Sequence, residues 1–425
     1  MIVRNEERCI ERALAWASGV ADERIVVDTG STDRTVELAI AAGAVVYNFT
    51  WVDDFSKAKN YAMSLCKGDW ILFLDADEWF TESDAAALPT IIADYEKRFG
   101  KRCNTIPFNK VNIDLDGSVL AEDSDLRVFR NIPKLRFEGS IHEAMPKAAV
   151  YPGGFIPPTC TDIKMLHDGY APAIYAETKK LERNITLLRK ELASDPTNPY
   201  LMEYLSESLR VNGTERDRAE ALELSKRAIP LITDPDYGYF KEKAYNYCIH
   251  ALAGASSPGS AEFDEGFRYA ELAYKEFPNS ADLSYEYAFC LYQLRRFREA
   301  YEVLLVSEKA LKDAGLDSAL YDGRVYLGLL LTANELNEKP AIIRSATFLL
   351  TKNKFHDAAV TTVYIQALRE SADAETVLRL LGGLYDLNNL RDKLWLLKAA
   401  GGGYPELYAK LRQLITPEEL EYLRS

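Results

Sequence analysis

No stretch of the 425-residue sequence stays apolar for the ~18 residues that a membrane-spanning helix needs. Basic charge is in deficit: 51 Lys and Arg stand against 65 Asp and Glu, a formal net charge of −14. A protein that grips nucleic acid through its phosphates carries a basic surface, so nucleic acid is not expected as a partner. One basic pocket for a diphosphate stays open, because net charge says nothing about a single cleft. The six cysteines (Cys9, Cys66, Cys103, Cys160, Cys248 and Cys290) are scattered, and no C-x-x-C pair occurs. That spacing argues against a zinc site and fits reduced, mostly buried thiols in a cytoplasmic protein. Met1 to Glu7 runs straight into a polar segment, without a basic stretch followed by an apolar one. No secretion signal is therefore expected.

What is present is a globular composition, 48% apolar and 27% charged, at a length that suits two or three domains. The first third alternates strand and helix. Met1–Arg4, Arg24–Val27, Val45–Tyr47 and Trp70–Leu74 read as strands; Glu6–Ser18, Thr32–Ala42 and Asp54–Cys66 read as helices. Ser31 and Asp33 stand in capping positions for the second helix. This order predicts a parallel sheet covered by helices on both faces, with ligands at the carboxyl ends of the strands. The first strand is short, with only Met1, Ile2 and Val3 before the polar turn. Residues 105 to 170 predict short strands and loops, among them Tyr151–Pro158 with three prolines and two glycines.

Two carboxylates, Asp75 and Asp77, follow the apolar strand Trp70–Leu74. Hard oxygen ligands so placed suit Mg²⁺ or Mn²⁺, which in turn neutralises a diphosphate. An Asp-x-Asp alone is weak, since a solvated acidic turn explains it equally well. Its company adds weight. Asp28-Thr-Gly-Ser-Thr-Asp33 follows the second strand and opens the second helix. There Asp28 can accept hydrogen bonds from a ribose or base, and Gly30 allows a tight turn. A well-made helix start would account for Ser31 and Asp33 but not for Asp28. Only four histidines occur, and two of them, His142 and His167, stand beside Glu143 and Asp168. Imidazole suits Mn²⁺ better than Mg²⁺. His250 and His356 fall in predicted helices and read as structural.

Met1-Ile-Val-Arg-Asn-Glu-Glu7, Asp28-Thr-Gly-Ser-Thr-Asp33 and Asp75-Ala-Asp77, in that order and spacing, resemble family 2 glycosyltransferases. Asp54-Phe-Ser-Lys-Ala-Lys-Asn60, Phe137-Glu-Gly-Ser-Ile-His-Glu143 and His167-Asp-Gly-Tyr170 narrow the resemblance. They point to bacterial glycosyltransferases of the sublancin glycosyltransferase type, which modify ribosomal peptides on cysteine or serine and carry a tetratricopeptide-like tail. The resemblance implies a GT-A-like α/β nucleotide-sugar domain and a set of roles. Asp28 would contact the uridine or its ribose, and Asp54 the uracil edge with Lys59 and Asn60 nearby. The family usually has Arg at position 59, so a bidentate contact becomes a point charge here. Asp75 would face the ribose and the metal shell. Asp77 and His167 would bind Mn²⁺ or Mg²⁺. Val3, Asn5 and Ala76 complete the expected nucleotide-sugar-binding set. Inverting transfer needs a base opposite the metal. Glu143 is the candidate with His142 beside it, and Asp123 and Asp125 are rivals that salt bridges to Arg127 or Arg130 would also explain. A thiol acceptor, with an ordinary pKa of ~8.5, needs a base less.

From Ala173 the sequence turns helical. Segments Lys180–Ile229 and Phe263–Leu305 each carry a Pro–Asn type turn followed by small residues at helical spacing, which resembles tetratricopeptide repeats. A plain helical bundle is the alternative. The expected domains are residues 1–170, GT-A-like, and residues 171–425, all-α. The leucine-rich part of 375–425 would either pair two chains into a homodimer or cap the stack. The expected activity is inverting transfer of a hexose or N-acetylhexosamine from a UDP-sugar to a peptide Cys or Ser. The alternatives are a carbohydrate or lipid-linked acceptor, and a catalytically inactive scaffold.

Overall fold

The computed structural model describes residues 1–169, 180–313, 319–352, 358–401 and 403–423. Tyr170, Ala173 and His356 lie outside them. The chain folds as two compact units, Met1–Thr197 and Asn198–Ser425.

The first unit opens with strand β1 (Ile2–Val3), helix α1 (Ile10–Ala15), β2 (Ile25–Asp28), α2 (Thr35–Ala41), β3 (Val45–Asn48), α3 (Phe55–Leu65) and β4 (Trp70–Leu72). β1, β2 and β3 form a parallel sheet in which Val3 pairs with Asp28 and Asp28 with Asn48. Each strand returns through a helix, as parallel pairing requires. α1 begins four residues later than its periodicity predicts. The backbone N–H groups of Asn5, Glu6 and Glu7 donate instead to Ser31 Oγ, Thr35 Oγ1 and Asp33 Oδ2. These bonds hold the chain in a turn, with Asn5 in the left-handed region at φ 56°. Ser31 is thereby spent on Asn5 and does not cap α2. The N-cap is Arg34, without a side-chain cap, and Asp33 just before it accepts from the Thr35 N–H at 3.0 Å.

The expectation that β4 extends the parallel sheet is corrected. β4 belongs to a second, mixed sheet with β5 (Glu78–Phe80), β6 (Thr105–Ile113), β7 (Val119–Arg130) and β8 (Cys160–His167), in the order β4-β7-β6-β8-β5. β1 offers two residues for pairing, whereas β7 offers twelve. β4 takes the longer partner, antiparallel, with Ile71 opposite Phe129. β6, β7 and β8 are also longer than the short strands expected between 105 and 170. Their apolar residues serve two cores. One gathers Phe80, Leu88, Ile106, Phe108 and Met165 under α4 (Glu82–Phe99); the other gathers Val27, Met63, Phe73, Phe129 and Phe137 under α3. The short helix α5 (Lys147–Val150) and α6 (Lys180–Ser194) complete the unit.

The second unit is all-helical among its described residues, from Pro199–Asn212 to Pro417–Tyr422. Asn198 accepts from the N–H groups of Tyr200 and Leu201, and Pro199 follows at the first helical position. Ala221, Ala228, Ala270, Ala273, Ala288 and Ala300 are fully buried, so successive helices approach closely across small residues. His250 lies in the helix Gly238–Leu252, as expected, on its exposed side.

Candidate active site

The site assembles where β1, β2 and β4 end. Asp28 is buried, and its carboxylate accepts from the N–H groups of Gly30 and Ser31 at 3.1 Å. Val3 O accepts from Thr29, and Asn5 Oδ1 accepts from the Thr32 N–H at 2.8 Å. Val3, Asn5 and Asp28 thus knit one loop cluster. Asp28 turns out to have the structural explanation that helix capping alone does not supply. Asp54 is the N-cap of α3, accepting from the Lys57 N–H at 3.0 Å and from Ser56 Oγ at 2.7 Å.

The residues of α3 expected near the nucleotide face inward. Asn60 donates from Nδ2 to Phe137 O and accepts on Oδ1 from the Phe137 N–H, both at 2.8 Å. This two-way bracket pins the 137–143 segment to α3. Ser140 adds a second tether, its Oγ donating to Glu191 of α6 at 2.6 Å. Held in this way, Glu143 meets Lys59 Nζ at 2.6 Å. Lys59 is 5% exposed, lies 5.3 and 5.2 Å from the ring centres of Phe73 and Phe137, and reaches Asp75 Oδ1 at 3.8 Å. Burial disfavours its charge, but Asp75 and Glu143 outweigh burial and hold its pKa above the ordinary value. His142 is exposed, with its backbone at φ 51°.

Asp75 and Asp77 flank a tight turn closed by the Glu78 N–H donating to Asp75 O at 3.1 Å. The two carboxylates take different partners. Asp75 pairs with Arg127 at 3.1 Å as well as with Lys59. Burial would raise its pKa, yet these two cations pull it below the usual carboxylate range. Arg127 also binds Glu78 at 2.6 Å, and burial next to Asp75 pushes the Glu78 carboxyl up to about 7 despite that contact. Of the rival bases, Asp125 meets Lys110 at 2.8 Å and Arg127 at 3.6 Å, and Asp123 meets Lys110 at 3.4 Å. Arg130 is occupied elsewhere, by Glu96 at 2.9 Å.

Asp77 Oδ2 lies 3.7 Å from His167 Nε2. Pairing of β5 with β8 sets Glu78 opposite His167 and so brings the two residues together across ninety positions of sequence. Ala76, between the two carboxylates, is buried in the core beneath α1. The backbone of Gly169 closes over the pair: a Cβ there would stand 2.2 Å from Asp77 Oδ2 and 2.6 Å from His167 Nε2. Two ligands at roughly 2.1 Å from one ion can be at most about 4 Å apart, so this oxygen–nitrogen pair fits a Mn²⁺- or Mg²⁺-sized ion. Among the described residues no three His, Cys, Asp or Glu side chains converge. An ion held here would fill its remaining positions with phosphate oxygens and water, which is how such ions bind nucleotides.

Sequence reading missed four contributors. Arg127 holds Asp75. Asn112 holds His167, with Oδ1 2.7 Å from Nδ1. Arg12 and Arg8 hold Asp168, at 2.8 and 3.3 Å. Asn112 leaves no distinctive trace in the sequence, being one of several polar residues (Thr105, Asn109, Lys110 and Asn112) along β6.

Residues 1–99 match the model of "Glycosyl transferase family 2". A TPR repeat-containing protein of Synechococcus elongatus is 32% identical over 212 residues, covering 47% of this chain and 49% of that protein. The SPbeta prophage-derived glycosyltransferase SunS of Bacillus subtilis is 25% identical over 288 residues, covering 67% of this chain and 64% of SunS. An uncharacterized glycosyltransferase of Rickettsia bellii is 46% identical over 78 residues, 18% of this chain and 26% of that protein. This chain therefore spans about half of the first relative and under two thirds of the second. Among the described residues no helix is long and apolar enough to cross a membrane. The chain carries a glycosyl transferase family 2 domain at the head of a GT-A-like α/β unit, followed by a long all-helical region.

Proposed function

We propose that the chain is a metal-dependent, inverting glycosyltransferase. It would move a hexose or N-acetylhexosamine from a UDP-sugar to a Cys or Ser side chain of a peptide. The observation that carries this reading is the Asp77–His167 pair, 3.7 Å apart under Gly169. Both residue types are ligands for Mn²⁺; Asp77 stands in the turn between β4 and β5, within the stretch that matches family 2, and His167 ends β8 beside it.

A divalent ion bound there would offset the charge of the donor diphosphate. Lys59 and Arg127 hold Asp75 in place beside it. In the transfer, the acceptor sulfur or oxygen bonds to the anomeric carbon from the face opposite the diphosphate. The bond from that carbon to the diphosphate oxygen breaks, and UDP leaves with the electron pair. The acceptor's proton passes to a carboxylate, for which Glu143 is the candidate; a thiol acceptor that reacts as its thiolate has already lost its proton to solvent. Because Glu143 is paired with Lys59 at 2.6 Å, it would have to exchange that contact for the acceptor. This favours an acceptor that needs little help, such as a thiol. The helical region would present the acceptor peptide, and the chain would act in the cytoplasm.

Hydrolysis of a panel of UDP- and GDP-sugars with Mn²⁺, Mg²⁺ or EDTA tests the reading. The expected result is slow, metal-dependent UDP release from one or two donors that disappears in Asp77→Ala. Calorimetry showing no UDP binding under any condition would leave a scaffold instead. Transfer to a saccharide or lipid-linked acceptor but to no Cys or Ser peptide would replace the proposed acceptor.

A further inference from the structure

We infer that Asn112 is a positioning residue that fixes which ring nitrogen of His167 carries the proton, and so aims Nε2 at Asp77. The metal consequence rests on the function proposed above; the tautomer itself does not.

The argument starts at Asp123. A carboxylate only accepts hydrogen bonds. Asp123 Oδ2 lies 3.1 Å from Asn112 Nδ2, and Asp123 Oδ1 is 3.4 Å from Lys110 Nζ. The Asn112 amide must therefore turn its NH₂ toward Asp123, which leaves Oδ1 toward His167. Asn112 Oδ1 stands 2.7 Å from His167 Nδ1. Since an amide oxygen also only accepts, Nδ1 must be the protonated nitrogen. In the neutral ring the lone pair is then on Nε2, the atom 3.7 Å from Asp77 Oδ2.

Sheet register builds this relay. Asn112 is the partner of His167 across the parallel β6–β8 ladder. Lys110 is opposite Asp123 and Asn112 opposite Ala121 across the antiparallel β6–β7 ladder, so Asn112 and Asp123 are diagonal neighbours on one face. The hairpin that sets this register turns through Asp116 and Gly117, with Gly117 at φ 83°. Asn112 is 4% exposed and His167 8%, so water does not substitute readily for the amide. A carboxylate or amide behind a ligating imidazole fixes its tautomer and orientation, and removing such a partner typically costs roughly 10–100-fold in metal affinity.

The test is nitrogen-15 NMR of the four imidazoles of the full chain across a pH titration, with His167 assigned by its disappearance in His167→Gln and its tautomer read on the neutral-ring plateau. Mn²⁺ affinity is measured alongside by electron paramagnetic resonance. His167 should show the Nδ1–H tautomer in the wild type. Asn112→Leu should shift it toward the Nε2–H form preferred in water and weaken Mn²⁺ binding roughly 10–100-fold. Asn112→Asp keeps an acceptor and should retain the tautomer. If Asn112→Leu fails to fold, Asp123→Ala, at a half-exposed carboxylate, should still release the amide and mix the two tautomers. A wild-type His167 protonated on Nε2 would overturn the inference, as would unchanged tautomer and affinity in Asn112→Leu and Asp123→Ala. Nδ1–H in the wild type with no Mn²⁺ binding would uphold Asn112's role and remove the metal from the proposed function.

Discussion

Replacing Glu143 by Gln removes the nearest counter-charge of Lys59 and separates two roles that the structure lays on one residue. Lys59 is 5% exposed, Glu143 stands 2.6 Å from it, and Asp75 remains at 3.8 Å when the Glu143 charge is gone. Breaking a buried pair from one side costs about 3–5 kcal/mol when nothing replaces the lost partner. Here Asp75 still compensates, and the amide oxygen of the new side chain still accepts a hydrogen bond. About 2 kcal/mol is therefore expected. Lys59→Met places an unbranched thioether between Phe73 and Phe137, where sulfur packs well against rings. The double variant should recover at least about 1 kcal/mol relative to the sum of the single variants. Urea unfolding followed by tryptophan fluorescence reads this out, because Trp16, Trp51, Trp70 and Trp79 lie in the first unit and only Trp395 in the second. A Glu143→Gln chain as stable as wild type, with additive single variants, would refute the structural account of the pair. Loss of UDP release without loss of stability would assign Glu143 to proton transfer alone.

Gly169→Ala should abolish metal-dependent UDP binding, because its Cβ would stand 2.2 Å from Asp77 Oδ2 and 2.6 Å from His167 Nε2; calorimetry with and without Mn²⁺ checks it, and unchanged binding would mean that this backbone does not close over the site. In the second unit, burial raises the Glu203 carboxyl from 4.5 to about 7 even though Arg210 opposes it. The folded state thus binds this proton more tightly than the unfolded one, so stability falls as pH rises from about 4.5 through about 7. Glu203→Gln should accordingly stabilise the chain by up to about 3 kcal/mol above neutral pH and by little near pH 4.5, as denaturant titrations at the two pH values would show. Leu380 and Leu394 remain 41% and 37% exposed while Val377, Leu381 and Leu396 are buried within the chain. If the leucine-rich segment pairs two chains, light scattering should find a dimer that Leu380→Lys with Leu394→Lys dissociates; a monomeric full chain ends that idea.

The sequence by itself determined the elements and their kinds. Apolar periodicity located β2, α2, β3, α3 and the helical tail, because period and capping are local properties. It also placed Asp28, Asp75 and Asp77 at strand ends, since an apolar run that stops at a carboxylate needs no tertiary information to be seen. Pairing was not legible. β4 joins β7 rather than the parallel sheet, and nothing local to Trp70–Leu72 encodes a partner nearly sixty residues away. Nor could the sequence say where the polar side chains spend their hydrogen bonds. Asn60 looks like a ligand contact and instead brackets Phe137; Glu143 looks like a free base and instead meets Lys59. Asn112 looks like nothing in particular, yet register alone sets it behind His167. Hydrogen-bond partnership depends on which strands lie side by side and with what offset, and those are decided by long-range packing of the two cores.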